Sequence, residues 1–222
     1  MMVMLFDYPK KAAFGRVLPK NKIYEKARPS PSVKKLFIRQ VEKIVWRYKL
    51  APKTVNLAST RSVPEIQIFS VFLKEGEINY NVLRCIDQAI PLPILFELHY
   101  EGKIKAVAAY KRPGETDSSK WIVSDYFEMD WLPSNTVRKP LPAVLDLGGL
   151  YSKILDSVMP FPSRSGERLQ GFVERMELIY SKQNEIKNCE SRLRKEKQFN
   201  RKVEINAELR ALQQEFATLT SS

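Results

Sequence analysis

The chain reads as an α+β protein: a mostly antiparallel sheet of about four strands with flanking helices, followed by a long C-terminal helical, coiled-coil-like segment. Three observations carry that reading. Residues 91–112, PLPILFELHYEGKIKAVAAYKR, place two alternating apolar runs on either side of the polar turn Glu101-Gly102-Lys103, the pattern of a β-hairpin. Two more runs of strand character lie at 64–76 and 121–132, with helical patterns between the sheet segments. From residue 167 onward there is no proline and the only glycine is Gly171, so helix can run almost to the end. The division expected is an α+β domain with a basic N-terminal arm at 1–162, and a long helix or helical hairpin at 163–222.

At 222 residues and 44% hydrophobic content the chain can bury a real core, which excludes disorder throughout. It has two cysteines, Cys85 and Cys189, and no run near the ~20 apolar residues of a membrane span. The start, MMVMLFDYPKK, lacks a leading basic region and meets Asp7 and Pro9 too early for a signal peptide. The expectation is a cytoplasmic protein with reduced thiols and no membrane contact.

The net charge of +12 is not spread evenly. Residues 1–64 hold 15 Lys+Arg against 3 Asp+Glu, whereas residues 65–162 hold 10 against 13. The last segment, 163–222, holds 12 against 9. A field confined to the first third points to a polyanion or an acidic partner more than uniform basicity does.

Taken in order, residues 1–31 mix Lys10, Lys11, Arg16, Lys20, Lys22, Lys26 and Arg28 with four prolines, which blocks long helices and favours extended chain. Their apolar residues, Phe14 and Ile23 among them, can tuck against the domain; the same interleaving suits single-stranded nucleic acid, whose backbone meets cations while bases stack on rings. Ser32 then reads as an N-cap. Val33, Phe37, Val41, Ile44 and Tyr48 keep helical spacing, so a helix is expected from residue 33 to about 50. Its far face would carry Lys35, Arg39, Lys43 and Arg47 as a basic ridge, with Glu42 the only acid.

After Pro64 the run EIQIFSVFLKEG is apolar on both faces, as a central strand is. Asn79 or Asn81 caps a short helix that Pro91 and Pro93 stop, giving one parallel crossover into the hairpin. Beyond the loop PGETDSS comes a third strand arm, 121–132. The piece AVLDLGGLYSKILDSV makes helix that packs back on the sheet. In the tail, Leu169, Phe172, Met176, Ile179, Ile186 and Leu193 form one apolar seam; Ile205, Leu209, Leu212, Phe216 and Leu219 form a second. Leu193 and Leu209 are sixteen apart where two heptads need fourteen, so the seams are out of phase. The charged interruption RLRKEKQFNRK separates them, and a bend is expected near Gln198 to Asn200.

Candidate chemistry is sparse. Glu101-Gly102-Lys103 spells the E-x-K of restriction-endonuclease-like nucleases, with Asp87 upstream, but those residues must share a strand face and here glycine marks a turn. Glu97 and His99 share one face of the first arm. His99 is the only histidine and the cysteines lie far apart, so no zinc site and no bound metal is expected. No G-x-S-x-G elbow, P-loop or dinucleotide fingerprint occurs, so neither a catalytic residue nor a cofactor is assigned.

The strings MLFDYPKKAAFGRVLPKNKIYE, WRYKLAPKTVNL, VPEIQIFSVFLK, IPLPILFEL, AAYKR and, most specifically, KEKQFNRKVEINAELRAL resemble a bacterial family catalogued as domain of unknown function number 4391. The resemblance covers nearly the whole chain. It implies no catalytic residues, and it implies genes for DNA methyltransferases and large helicases of restriction or phage-defence type nearby. The function expected is therefore a non-enzymatic accessory subunit of such a restriction-modification or phage-defence system. Nucleic acid would be met by Lys20, Lys22, Lys35, Arg39, Lys43, Arg47 and Lys49. A partner protein, a helicase, a methyltransferase or a second copy, would dock on Ile205, Leu209, Leu212, Phe216 and Leu219. The alternatives are a divergent metal-dependent nuclease using Asp87, Glu97 or Glu101 with Lys103, and a structural adaptor that touches no nucleic acid.

Overall fold

A computed structural model describes residues 5–114 and 120–221. The first residues of the N-terminal stretch tested for a signal peptide, and residues 115–119 of the loop PGETDSS, lie outside the described residues. The chain divides into two compact units, Met1–Pro160 and Phe161–Ser222.

The first unit is built on one mixed sheet. Its strands are β2 (Ala13–Val17), β3 (Val41–Leu50), β4 (Ile66–Leu73), β5 (Ile94–Tyr100), β6 (Lys103–Pro113) and β7 (Trp121–Glu128), hydrogen-bonded in that order, with β8 (Leu132–Pro133) added beside β6. A separate parallel pair joins β1 (Phe6–Asp7) to β9 (Lys139–Pro140). Every neighbour in the main sheet is antiparallel except β4 and β5, which α4 (Tyr80–Ala89) connects as a crossover. The class is α+β as expected, but the sheet has seven strands and not four.

The largest departure lies at 31–50. Helix α2 spans only Pro31–Gln40, with Ser30 as its N-cap, since Ser30 Oγ accepts from Val33 N at 3.4 Å and Pro31 takes the first helical position. The chain then passes straight into β3. The residues expected to continue the helix, Val41, Ile44, Val45, Trp46 and Tyr48, are β-branched or aromatic and suit a pleated surface. Two irregularities in the β3–β4 register, between Val41 and Lys43 and between Trp46 and Tyr48, shift the side-chain alternation. The buried positions therefore fall at 41, 44, 45 and 50, and the first three keep a spacing that imitates a helix. The end of α2 is fixed by side chains as well: Lys20 Nζ donates to the carbonyls of Phe37 and Val41 at 3.0 and 2.6 Å, and Lys74 Nζ to Ile38 O at 2.8 Å. Lys74 thereby satisfies a carbonyl that the helix end leaves open, while Lys20 adds a bond to Phe37 O, which also accepts from Val41 N, and ties it to the start of β3.

The proline-rich N-terminal stretch also holds α1 (Lys20–Ala27), which begins after Pro19 and stops before Pro29 at Arg28, a residue in the left-handed region. One sheet face carries Phe69, Val71, Phe96, Leu98 and Val107, and these pack with Ile23 of α1, Phe37 of α2 and Val82, Leu83 and Ile86 of α4. Each such fully buried side chain stabilises the fold by roughly 1.5–3 kcal/mol. β4 is buried on both faces, as its sequence required of a central strand. The hairpin turns on Glu101 (φ 42°) and Gly102 (φ 72°), two successive left-handed residues, the second of which suits glycine. A four-residue helix α3 (Pro52–Val55) follows β3, and α5 (Leu147–Val158), capped by Asp146 Oδ1 on Gly149 N at 2.8 Å, packs on β6 and β7.

The second unit is a hairpin of two helices, α6 (Leu169–Lys195) and α7 (Phe199–Thr220). The break falls at 196–198 without proline or glycine; the Glu196 carboxylate accepts from the amides of Lys197 and Gln198 at 2.8 and 2.9 Å, which competes with continued helix. The helices run antiparallel, tied by Arg192–Glu208 (2.9 Å) near the turn and Lys182–Glu215 (2.7 Å) further along. At the open end Arg175 holds Glu167 through two 2.7 Å bonds, and Arg164 donates to the last carbonyls of α7, including Thr218 O at 3.0 Å. Both cysteines are free and buried, and no helix among the described residues is long and apolar enough to cross a membrane.

Candidate nucleic-acid interface

Because 41–50 is a strand, the four-residue basic ridge does not exist as one helix face. Lys35 and Arg39 lie on α2, and Lys43 and Arg47 on β3. The strand assembles a different surface.

On one face of the sheet, Lys43 stands opposite Phe72, and Phe72 stands beside His99 in the parallel register. Lys43 Nζ lies 4.5 Å from the Phe72 ring centre, and the Phe72 and His99 rings stack at 4.7 Å and 15°. His99 Nε2 is buried without a hydrogen-bond partner among the described residues. Burial pushes His99 below its ordinary value, with Arg138 and Arg47 pushing the same way and Glu97 opposing. It is therefore a neutral ring at pH 7. On the same face Glu97 is gripped by Arg138 through bonds of 2.6 and 3.0 Å, and Arg138 also donates to Phe6 O at 2.9 Å, which ties the N-terminal segment to the sheet.

On the other face, at the β2–β3 edge, the half-buried rings of Phe14 and Trp46 meet at 4.8 Å. Arg16 sits 4.7 Å from the Phe14 centre, and Lys49 5.5 Å from Trp46. Trp46 Nε1 donates to Gln67 Oε1 at 2.8 Å, which fixes the indole, while Lys49 pairs with Glu65 at 3.4 Å. Cations beside half-buried rings at a sheet edge are a combination that single-strand binders also use.

The seven cations expected at such a surface fare differently. Lys20 is spent on the end of α2, and burial lowers its pKa with Lys74 adding to the effect. Lys22 pairs with Glu25 at 3.0 Å, Arg39 with Glu75 at 3.2 Å and Lys49 with Glu65. Lys35, Lys43 and Arg47 are exposed and pair with no carboxylate among the described residues. Sequence reasoning missed Phe72 and His99 as neighbours of Lys43, because that juxtaposition depends on β3 being a strand. On α7 the positions 205, 209, 212, 216 and 219 form the less exposed side of a helix that packs on α6; Ile205 is buried and its carbonyl accepts from Cys189 Sγ at 3.6 Å.

The acids proposed for a nuclease do not converge. Asp87 is buried on the inner side of α4 itself, bonded to Lys111 Nζ at 3.2 Å and to the Tyr126 hydroxyl. Lys111 Nζ also reaches the carbonyls of Asp87 (2.6 Å) and Ile90 (2.5 Å). Burial raises Asp87 and lowers Lys111, and their mutual attraction works against both shifts. Glu97 belongs to Arg138, and Glu101 is exposed in the turn. No group of three His, Cys, Asp or Glu among the described residues could hold a metal ion.

A family model described as Domain of unknown function (DUF4391) matches residues 6–216, and the chain belongs to that family. No curated protein and no solved structure matches it.

Proposed function

We propose that this member of the DUF4391 family is a non-enzymatic accessory subunit that contacts nucleic acid through its N-terminal third, in a restriction-modification or phage-defence system with a helicase or DNA methyltransferase. The observation that carries the nucleic-acid reading is the exposure of Lys35, Lys43 and Arg47 without carboxylate partners among the described residues, in a segment holding 15 cations against 3 acids. The cations left over after those pairings make a field that a polyanion relieves. Half-exposed rings beside cations, Phe72 with Lys43 on one face and Phe14 and Trp46 with Arg16 and Lys49 on the other, favour a single strand, whose bases have free faces. The system-level role is supported by what the family resemblance implies about neighbouring genes, and the docking of a protein partner on the C-terminal helix belongs to the same reading. The test is binding of labelled single-stranded and duplex oligonucleotides to the pure protein at rising salt. Binding that weakens steeply with salt is expected, and no binding even at low salt would leave the adaptor reading in its place.

A further inference from the structure

Helix α7 keeps its acids on one side, where Arg201 also lies, and leaves another side with cations alone. Its three acids, Glu204, Glu208 and Glu215, lie toward α6: Glu208 meets Arg192, Glu215 meets Lys182, and Glu204 lines a concavity of about 460 Å³ with Arg192 and Lys195. The opposite side carries Phe199, Lys202, Val203, Asn206 and Arg210, which recur at three- and four-residue spacing and so share one face. Phe199 is 78% exposed and Val203 54%, one helical turn apart. An exposed apolar pair of this size on a charged helix costs solvation free energy that nothing within the hairpin returns.

We propose that this outer face of α7 is a docking surface for a partner protein that offers an acidic amphipathic helix. Phe199 and Val203 supply the apolar anchor and Lys202 and Arg210 the flanking charge. The two apolar residues one turn apart match the i, i+4 anchors of helix-to-helix docking. They speak against a phosphate backbone, which would leave Val203 wet. A second copy of this chain is disfavoured by the same residues, because the face holds cations and no acid, so two copies would oppose like charges. The inference rests on the reading above that the C-terminal helix docks a protein, and it replaces the inward seam with the outward face as the surface used.

The experiment takes the full chain and a fluorescent acidic amphipathic helical peptide, with its lysine-for-glutamate counterpart and a single-stranded oligothymidylate as comparison probes. Wild type is expected to bind the acidic peptide and not the basic one. The F199S/V203S variant, whose net charge is unchanged, is expected to bind about tenfold or more weakly, and K202Q/R210Q to lose affinity and salt dependence together. K43Q/R47Q on β3 is expected to leave peptide binding unchanged, and circular dichroism of all variants is expected to match wild type because the substituted side chains are exposed. Equal peptide binding by wild type and F199S/V203S overturns this surface while leaving partner docking by the C-terminal unit in place. No peptide binding by wild type overturns both. Oligothymidylate binding that falls in F199S/V203S assigns the face to nucleic acid and overturns the protein partner.

Discussion

Lys111 and Lys43 are both lysines on strands of the same sheet, yet they live in opposite circumstances. Lys111 is 1% exposed and its ammonium meets the Asp87 carboxylate and two carbonyls, while Asp87 takes the Tyr126 hydroxyl on its other oxygen. Lys43 is exposed, rests on the face of Phe72 and meets no carboxylate among the described residues. The buried lysine is fully employed by the fold, which suits a structural cation. The exposed one is left over, as is Arg47, and leftover charge concentrated in one region is where an outside partner is best sought. Removing the first should cost stability; removing the second should cost binding.

The largest expected effect tests the employed half of that contrast. Lys111→Met would leave Asp87 buried without its counter-ion, and the unfolding free energy should fall by about 3–5 kcal/mol. Denaturant or thermal unfolding measures it; a loss of under about 1 kcal/mol would mean that the pair is not a structural lock. The Arg138–Glu97 pair gives a second, smaller case, since Arg138 is 29% exposed where Glu97 is 3%. Arg138→Gln should cost about 2–3 kcal/mol and also loosen the segment it ties at Phe6, read as faster amide exchange at β1 and β9.

His99 allows the contrast to be followed through pH, because it is the only histidine and its ring stacks on the aromatic that Lys43 covers. Burial holds its folded pKa below the unfolded value of ~6.5. The unfolded chain then binds the proton first, so stability should decline as pH falls through ~6.5 toward the lower folded value, and level off below it. Nuclear magnetic resonance titration of the single imidazole checks the direction. A folded pKa above the ordinary histidine value would contradict the burial and the cation-rich setting described for it. His99→Gln should flatten that part of the stability profile.

Much of the fold was legible. The hairpin at 94–113, the central strand at 66–73 and the crossover helix capped at Asn79 each had a local signal: alternation, an apolar run, or a capping residue before a helical period. β3 was not legible, because register shifts moved its first three buried residues to a helical spacing, and period alone does not separate the two. That single misreading also removed one strand from the sheet and created the basic ridge. β2 was hidden differently: five mostly exposed residues around Gly15, with little apolar pattern, become a strand only through pairing with β3. Asp87 and Lys111, 24 residues apart in sequence, had no local pattern that would join them. The candidate interface inherits this history, since Lys43 and Arg47 were identifiable as charges, but Phe72 and His99 became their company only through long-range register.

The claim that the leftover cations of β3 meet a polyanion is tested most directly by the salt dependence of oligonucleotide binding in K43Q/R47Q against wild type. Each phosphate contact contributes about 0.9 to the log–log slope on duplex DNA and about 0.7 on a single strand. If both residues touch phosphate, the variant should bind more weakly across sequences and its slope should shrink by about 1.4 on single-stranded DNA, with thermal stability unchanged. Wild type and variant sharing one affinity and one slope would contradict the account.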